Sequence, residues 1–168
     1  LNASHTGCRY YGGTASLSTA ALGAFFDPNY EGDGLKIQEV IKRGPFAVKK
    51  NEVTAGCIIE KIDGEAIKAG MDYNALLDGK AGKNVRLTIR NTKGKTFDLT
   101  IKAISQGNQQ ELLYKRWVDR NRAIVDSVSK GRIAYVHVKA MNSESFRTVY
   151  SELLSDKNRN KDAVIVDE

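Results

Sequence analysis

The spacing of apolar residues changes its period near residues 105–108, and this change constrains the fold more than any other feature of the chain. Upstream, Val85, Leu87 and Ile89 alternate with polar residues, which is the period of a half-buried β-strand. Downstream, residues 109–128 carry apolar side chains at helical spacing, with charged residues in the gaps. The sequence therefore predicts an α+β chain, in which a block of short strands precedes a block with longer helices.

The upstream block, residues 20–104, is predicted to be a partly open β-barrel or sandwich with two short helices. Glycine, proline, asparagine and aspartate residues divide it into short segments. The predicted strands are 20–27, 35–41, 56–63, 85–90 and 97–102, and the predicted short helices are 46–51 and 71–78. Asp63-Gly64 is a strong signal for a tight hairpin turn.

The downstream block, residues 105–168, continues after its first helix as strand 133–138, helix 143–154 and strand 163–166. Strand-helix-strand is the repeating unit of a parallel sheet. One such unit cannot cover both faces of its sheet, and open α/β sheets place active sites at the carboxyl ends of their strands. We therefore expect this block to be the truncated start of an α/β core domain, and residues 1–19 to be the end of an earlier piece of that domain.

The composition argues against several functions. A hydrophobic content of 41% and a charged content of 27% are typical of a folded chain, and no apolar run approaches the roughly 18 residues of a membrane helix. The net charge is +6, but basic and acidic residues are interleaved and no nucleic-acid-binding motif is present, so neither nucleic acid nor a membrane is an expected partner. Cys8 and Cys57 form no CxxC motif and no cluster with histidine, so we predict no metal site and no cofactor, and a disulfide stays open. No export leader is visible.

The two histidines have different sequence contexts. His5 follows Ser4 in a polar, glycine-rich segment. A histidine can act as general base toward a serine hydroxyl because its pKa lies near working pH, whereas composition alone favours a surface histidine in a terminal loop. His137 lies on a predicted strand, on the face of its apolar neighbours, which indicates a structural role. Asp119 and Asp126 are predicted to lie on the solvated side of a helix and are assigned no chemistry.

The upstream block contains three characteristic segments, namely Leu-Gly-Ala-Phe at 22–25, Ile-Asp-Gly-Glu at 62–65 and the predicted short helix at 73–77. With these segments it resembles a PDZ module in the permuted strand order that is common in bacterial proteases. PDZ modules bind an extended peptide as an added strand, with pockets for alternate side chains. Backbone N–H groups in a glycine-containing turn can hold a C-terminal carboxylate.

The resemblance implies a peptide-binding set of six residues: Leu22, Gly23, Ala24, Phe25, Tyr73 and Leu77. In this set, Gly23, Ala24 and Phe25 would pair through their backbone with a bound peptide. The side chains of Phe25, Tyr73 and Leu77 would line the groove. The alternative is that the apolar side chains of the set belong to the core.

Three further motifs flank this block: Leu-Asn-Ala-Ser-His-Thr-Gly at 1–7, Trp-Val-x-x-Asn-Arg at 117–122 and Gly-Arg-Ile-Ala-Tyr-Val-His at 131–137. An apolar strand that ends in the acidic pair 167–168 follows them. Together these segments resemble the tricorn-like serine peptidases, and they occur in the order of that family. The match covers nearly the whole chain.

This resemblance implies that His5 is the general base of a peptidase and that Ser4 belongs to its charge-relay network. In that family the nucleophilic serine, the relay glutamate and the oxyanion-binding glycines come after the position of Glu168. Acyl transfer needs nucleophile, base and oxyanion donors together, so this chain alone is expected to be inactive. The implied parent is a bacterial or archaeal homo-oligomer, cytoplasmic or periplasmic, that cleaves peptides or unfolded proteins. The alternative function is a non-catalytic PDZ module that binds peptides or acts as a scaffold.

Overall fold

The computed structural model describes residues 18–49 and 52–168. Six strands form one antiparallel sheet in the order β1-β2-β3-β5-β6, and β4 pairs with β3 beside this path. The strands are β1 Ala24–Phe26, β2 Leu35–Val40, β3 Ile58–Ile62, β4 Glu65–Ala66, β5 Asn84–Arg90 and β6 Thr96–Lys102. The α+β prediction is confirmed. The sheet is open, because its outer strands β1 and β6 do not pair with each other. Only an isolated bridge, between Ala21 and Ile104, joins the described segments that flank these two strands.

The β5–β6 hairpin forms the centre of the core. Its strands pair in unbroken register from Asn84 with Lys102 to Arg90 with Thr96. The inward side chains of Val85, Leu87 and Ile89 are fully buried, as the alternating pattern predicts. The thiol of Cys57 is also free and fully buried, so this cysteine acts as a small core residue.

The first strand is shorter than predicted. Gly23 has a φ of +73°, which interrupts the extended backbone before Ala24. The residues ahead of it pair elsewhere: the Ala20 N–H donates to Leu77 O at 3.0 Å, and the Ala21 N–H donates to Ile104 O at 2.8 Å. The predicted strand 20–27 is therefore a three-residue strand preceded by two separate bridging contacts.

Both short helices of the upstream block are 3₁₀ helices, Pro45–Lys49 and Tyr73–Leu77. Such helices are common in pieces of three to four residues, because their hydrogen-bond geometry is poorer than that of an α-helix. The second begins after Asp72, whose carboxylate accepts a hydrogen bond from the Asn74 N–H at 3.0 Å. This cap fixes where Tyr73 and Leu77 lie.

The downstream block contains α1 Gln106–Val128, β7 Ile133–His137, α2 Ser143–Leu153 and β8 Ala163–Asp167. Strands β7 and β8 are parallel, as predicted, and pair in register along their whole length. Helix α1 begins three residues earlier than predicted, because the Ser105 hydroxyl accepts a hydrogen bond from the Asn108 N–H at 3.1 Å and caps it.

Burial differs sharply between the two blocks. The inward residues of β3, β5 and β6 are buried, whereas Phe146 on α2 is 68% exposed and Val164 and Val166 on β8 are 45% and 52% exposed. None of the helices in the described residues combines the length and apolarity that a membrane crossing needs.

Candidate functional site

The two predicted catalytic residues, His5 and Ser4, lie outside the described residues. Their roles stay predictions. The six predicted peptide-binding residues all lie inside the described part, around β1 and the second 3₁₀ helix.

Strand β1 is an outer strand of the sheet and pairs with β2 alone. Ala24, Phe25 and Phe26 face Val40, Glu39 and Ile37, with a bulge after Phe25. No strand of residues 18–49 and 52–168 pairs with its other edge, and an unpaired edge of this kind can accept an added strand.

Gly23 begins this edge and cannot be replaced without strain. Its φ of +73° favours glycine, and a Cβ built on it would lie 2.4 Å from Cδ of Pro45. Its carbonyl accepts a hydrogen bond from the Ile41 N–H at 3.0 Å, which aligns β1 with β2. A bulky substitution at Gly23 would therefore disrupt the loop itself as well as any docked peptide.

The side chains of the predicted set divide into two groups. Those of Leu22, Ala24 and Leu77 are 3%, 8% and 2% exposed and belong to the core cluster. Phe25 and Tyr73 are half-buried. The ring of Tyr73 meets the ring of Phe26 edge to face at 5.7 Å, and burial raises the pKa of the Tyr73 phenol. The inner side of β1 is thus closed by packing, and what it offers a ligand is mainly its backbone edge.

Helix α1 contacts β1 and β2 through a few of its side chains. Arg116 donates two hydrogen bonds to the Glu39 carboxylate, from Nε and from Nη2, both at 2.6 Å. The same guanidinium lies 5.3 Å from the centre of the Phe25 ring. The hydrogen bond from Arg116 lowers the pKa of Glu39, and a second ion pair joins Arg43 to Asp119 at 3.2 Å.

One contact of this helix reaches the glycine turn. The Gly23 N–H donates a hydrogen bond to Oε1 of Gln109 at 3.2 Å, across 86 residues of sequence. Sequence reasoning did not predict Gln109 as a site residue. Its only sequence signal is its position on the helical face that also holds Arg116, seven residues further on.

The Asp63-Gly64 turn has the geometry that its sequence predicts. Asp63 and Gly64 have φ angles of +50° and +91°, the positive values of a type I′ hairpin turn. The Asp63 carboxylate accepts hydrogen bonds from the Arg86 N–H at 2.8 Å and from Lys80 Nζ at 2.5 Å. Burial alone would raise the pKa of Asp63, but these two hydrogen bonds outweigh burial and lower it.

The Trp-Val-x-x-Asn-Arg segment of α1 packs on β7. The Trp117 ring meets the His137 ring edge to face at 4.8 Å, and Asn121 Nδ2 donates to the Tyr135 hydroxyl at 3.1 Å. Arg122 donates to the Glu152 carboxylate of α2 at 2.9 Å. The side chains of Trp117, Asn121 and Arg122 therefore hold α1, β7 and α2 together.

His137 and the two helix aspartates also have structural partners. His137 Nδ1 lies 2.8 Å from the Tyr114 hydroxyl. Asp119 pairs with Arg43, and Asp126 pairs with Lys161 at 2.6 Å. Within residues 18–49 and 52–168, no three histidine, cysteine or acidic side chains come together as a metal site would require.

Comparison with known proteins first defines the class. A family model described as the tricorn protease PDZ domain matches residues 29–106. The matched range contains strands β2 to β6 of the open sheet, and it begins after the glycine turn and β1.

The relatives of the whole chain are tricorn proteases. The putative tricorn-like protease C-terminal subunit of Sulfurisphaera tokodaii is 30% identical over 90% of this chain and 18% of its own length. The tricorn protease homolog of Saccharolobus solfataricus is 28% identical over 90% of this chain and 14% of its own length. The crystal structure of the tricorn protease has the same fold, with a TM-score of 0.76 and 24% identity over 90% of this chain and 15% of that chain. The chain is tricorn-like and contains a PDZ domain, and it spans less than a fifth of the length of these relatives.

Proposed function

We propose that this chain is part of a serine-type peptidase that hydrolyses peptides, in which His5 is the general base and Ser4 supports it. The observation that carries the proposal is the position of His5, directly after Ser4 and ahead of a tricorn-type PDZ domain. The imidazole would take the proton from a serine hydroxyl as that oxygen attacks the peptide carbonyl, and would return it to the leaving amine. The serine that attacks belongs to the part of the family pattern beyond Glu168.

In this proposal the PDZ domain docks the substrate on the free edge of β1. An extended peptide would add to the sheet beside Ala24 and Phe26. On either side of them, the Gly23 carbonyl and the Asp27 N–H already bond Ile41 and Lys36, and alternate residues of a strand face opposite edges. Phe25 and Tyr73 are the half-buried side chains beside that edge. The partners are therefore peptides or unfolded segments of proteins.

The test compares the two histidines of the sequence in the full-length protein. His5→Ala should lower kcat for a fluorogenic peptide by at least about a hundredfold, because a positioned general base contributes roughly that much. His137→Asn is the matched control: its side-chain amide can still bond the Tyr114 hydroxyl, and we expect nearly unchanged kcat. Equal thermal melting of the two variants would show that folding is not the cause.

Two results would contradict the proposal. One is a His5→Ala variant that keeps full activity. The other is turnover by this 168-residue chain alone that survives the same substitution. Labelling of the full-length protein by a serine-directed phosphonate provides an independent measurement, since it reports the nucleophile and not the base.

A second role for the PDZ domain is that of a non-catalytic scaffold between parts of a larger protein. The burial of Leu22, Ala24 and Leu77 favours it, because these side chains already fill the space beside β1. Titration of this chain with extended peptides separates the two roles. A scaffold would bind none of them, whereas a docking domain would bind and would lose binding when a proline in the peptide removes an N–H donor.

A further inference from the structure

We propose that Gln109 occupies the carboxylate position of the PDZ domain, so that β1 takes the interior of an extended peptide and not its C-terminal end. The inference rests on the proposed docking role of β1. It concerns which part of a peptide that edge accepts.

The first support is the direction of the Gly23 N–H. This donor belongs to the glycine turn that precedes the free edge of β1, the place where a backbone N–H group would hold a peptide carboxylate. The carbonyl of Gly23 accepts a hydrogen bond from the Ile41 N–H, directly after β2, at 3.0 Å. The N–H instead bonds Oε1 of Gln109, at 3.2 Å in a part-buried contact.

The second support is that the helix that carries Gln109 is anchored at its first turn and further along its length. Its own N–H donates to Ser105 O at 3.0 Å in the capped first turn of α1. Further along the same face, the helix is fixed to the sheet by the bidentate bond of Arg116 to Glu39 and by the pair of Asp119 with Arg43. The amide is therefore presented by an anchored helix and not by a loose loop.

The third support is chemical. The side-chain amide oxygen of Gln109 accepts the N–H as a carboxylate oxygen would, but it is neutral and already bonded. A peptide carboxylate would have to break the bond of Gln109 before it could bond the Gly23 N–H, and this loss offsets the gain from its charge. The interior of a peptide makes its bonds to Ala24 and Phe26 without using Gly23, so it meets no such competitor.

The experiment uses this chain and a matched pair of short fluorescein-labelled peptides of alternating leucine and serine, one with a free C-terminal acid and one with a C-terminal amide. Fluorescence anisotropy gives the two Kd values. For the unmodified chain we expect acid and amide to bind equally, within about twofold. For Gln109→Ala we expect the acid to bind roughly tenfold more tightly than the amide, because a charge-assisted bond to the freed N–H becomes available.

Two further variants sharpen the comparison. Gln110→Ala removes the same side chain one position along the same helix, where it is exposed, and should leave the acid-to-amide ratio at that of the unmodified chain. Gln109→Glu should weaken the acid relative to the amide, because it places a carboxylate beside the Gly23 N–H. The chemical shift of the Gly23 amide should move in Gln109→Ala and stay unchanged in Gln110→Ala, which checks the contact without any peptide.

The outcomes separate this inference from the docking role itself. An unmodified chain that prefers the acid by tenfold would overturn the inference and leave docking standing. A Gln109→Ala variant with an unchanged ratio would do the same. Absence of binding by both peptides to all variants would overturn docking, and the inference with it.

Discussion

The ion pair of Arg116 with Glu39 gives a quantitative test of how α1 is docked on the PDZ sheet. Exposed ion pairs contribute roughly 0.2–1 kcal/mol, and the two hydrogen bonds of this pair, each 2.6 Å, place it at the upper end. The contact of Arg116 with the Phe25 ring adds about 0.5–1 kcal/mol. We therefore expect Arg116→Ala to cost about 1–2 kcal/mol of unfolding free energy and Glu39→Gln about 0.5–1 kcal/mol. In a double-mutant cycle, the coupling should be about 0.5–1 kcal/mol.

Urea unfolding at low salt measures this coupling, followed by the fluorescence of Trp117. This residue is the single tryptophan of the sequence and lies on α1 against His137. Arg147→Ala is the control for the loss of an exposed arginine from a different helix, α2. It should cost less than about 0.5 kcal/mol, as surface substitutions usually do.

The coupling energy between Arg116 and Glu39 should depend on both pH and salt. The hydrogen bond from Arg116 lowers the pKa of Glu39 in the folded chain. A carboxyl group with a lowered folded pKa contributes stability that is present above its unfolded pKa, about 4.3, and is lost as pH falls through the folded value. The coupling should therefore vanish in acid below that folded pKa, and it should shrink in about 1 M salt, where the screening length is near 3 Å. A coupling near zero at neutral pH and low salt, or one that ignores both salt and acid, would refute this account of docking.

Two further predictions concern the turn and the helix–strand network. Gly64→Ala should destabilise the chain by roughly 1 kcal/mol in urea unfolding, because the φ of Gly64 is +91°. The control, Gly107→Ala in α1, should stabilise the chain by roughly 0.5–1 kcal/mol. Equal effects of the same sign would contradict the argument that the backbone conformation decides the outcome. Tyr135→Phe should lower the free energy of unfolding by about 1–3 kcal/mol, because the buried hydroxyl accepts a hydrogen bond from Asn121 and donates one to Asp167 at 2.5 Å. The control is Tyr150→Phe, at a side chain that is 57% exposed, which should lower it by less than about 0.5 kcal/mol. Thermal denaturation measures both tyrosine variants, and a Tyr135→Phe variant as stable as Tyr150→Phe would show that the network carries no stability.

The sequence predicted best the elements whose physics is local. The β5–β6 hairpin follows from strict alternation, and the turn at Asp63-Gly64 follows from two residues that tolerate positive φ. It predicted worst the segment 20–27. Residues 20–26 carry no polar side chain, so no alternation shows that Gly23 interrupts the strand and that Ala20 and Ala21 pair with Leu77 and Ile104 instead.

The geometry of the proposed docking site was predictable only in part, for a related reason. The Leu-Gly-Ala-Phe stretch marks where β1 lies, but side-chain burial depends on what packs against it. The side chains of Leu22 and Leu77 lie in the core, and the ring of Phe25 contacts Arg116 of α1. Gln109 escaped prediction because a polar residue on an exposed-looking helix gives no signal of a partner 86 residues away.

Helix α1 belongs physically to both blocks, although the change in sequence period places it in the second. One side of it contacts the PDZ sheet through Gln109, Arg116 and Asp119, at spacings of seven and three residues. The opposite side contacts β7 through Trp117 and Asn121, four residues apart. A displacement of α1 that freed the Gly23 N–H would therefore also disturb the Tyr135 hydroxyl, which bonds Asp167 at the carboxyl end of β8. Helix α1 therefore contacts the glycine turn ahead of β1 directly and the carboxyl end of β8 through Asn121 and Tyr135.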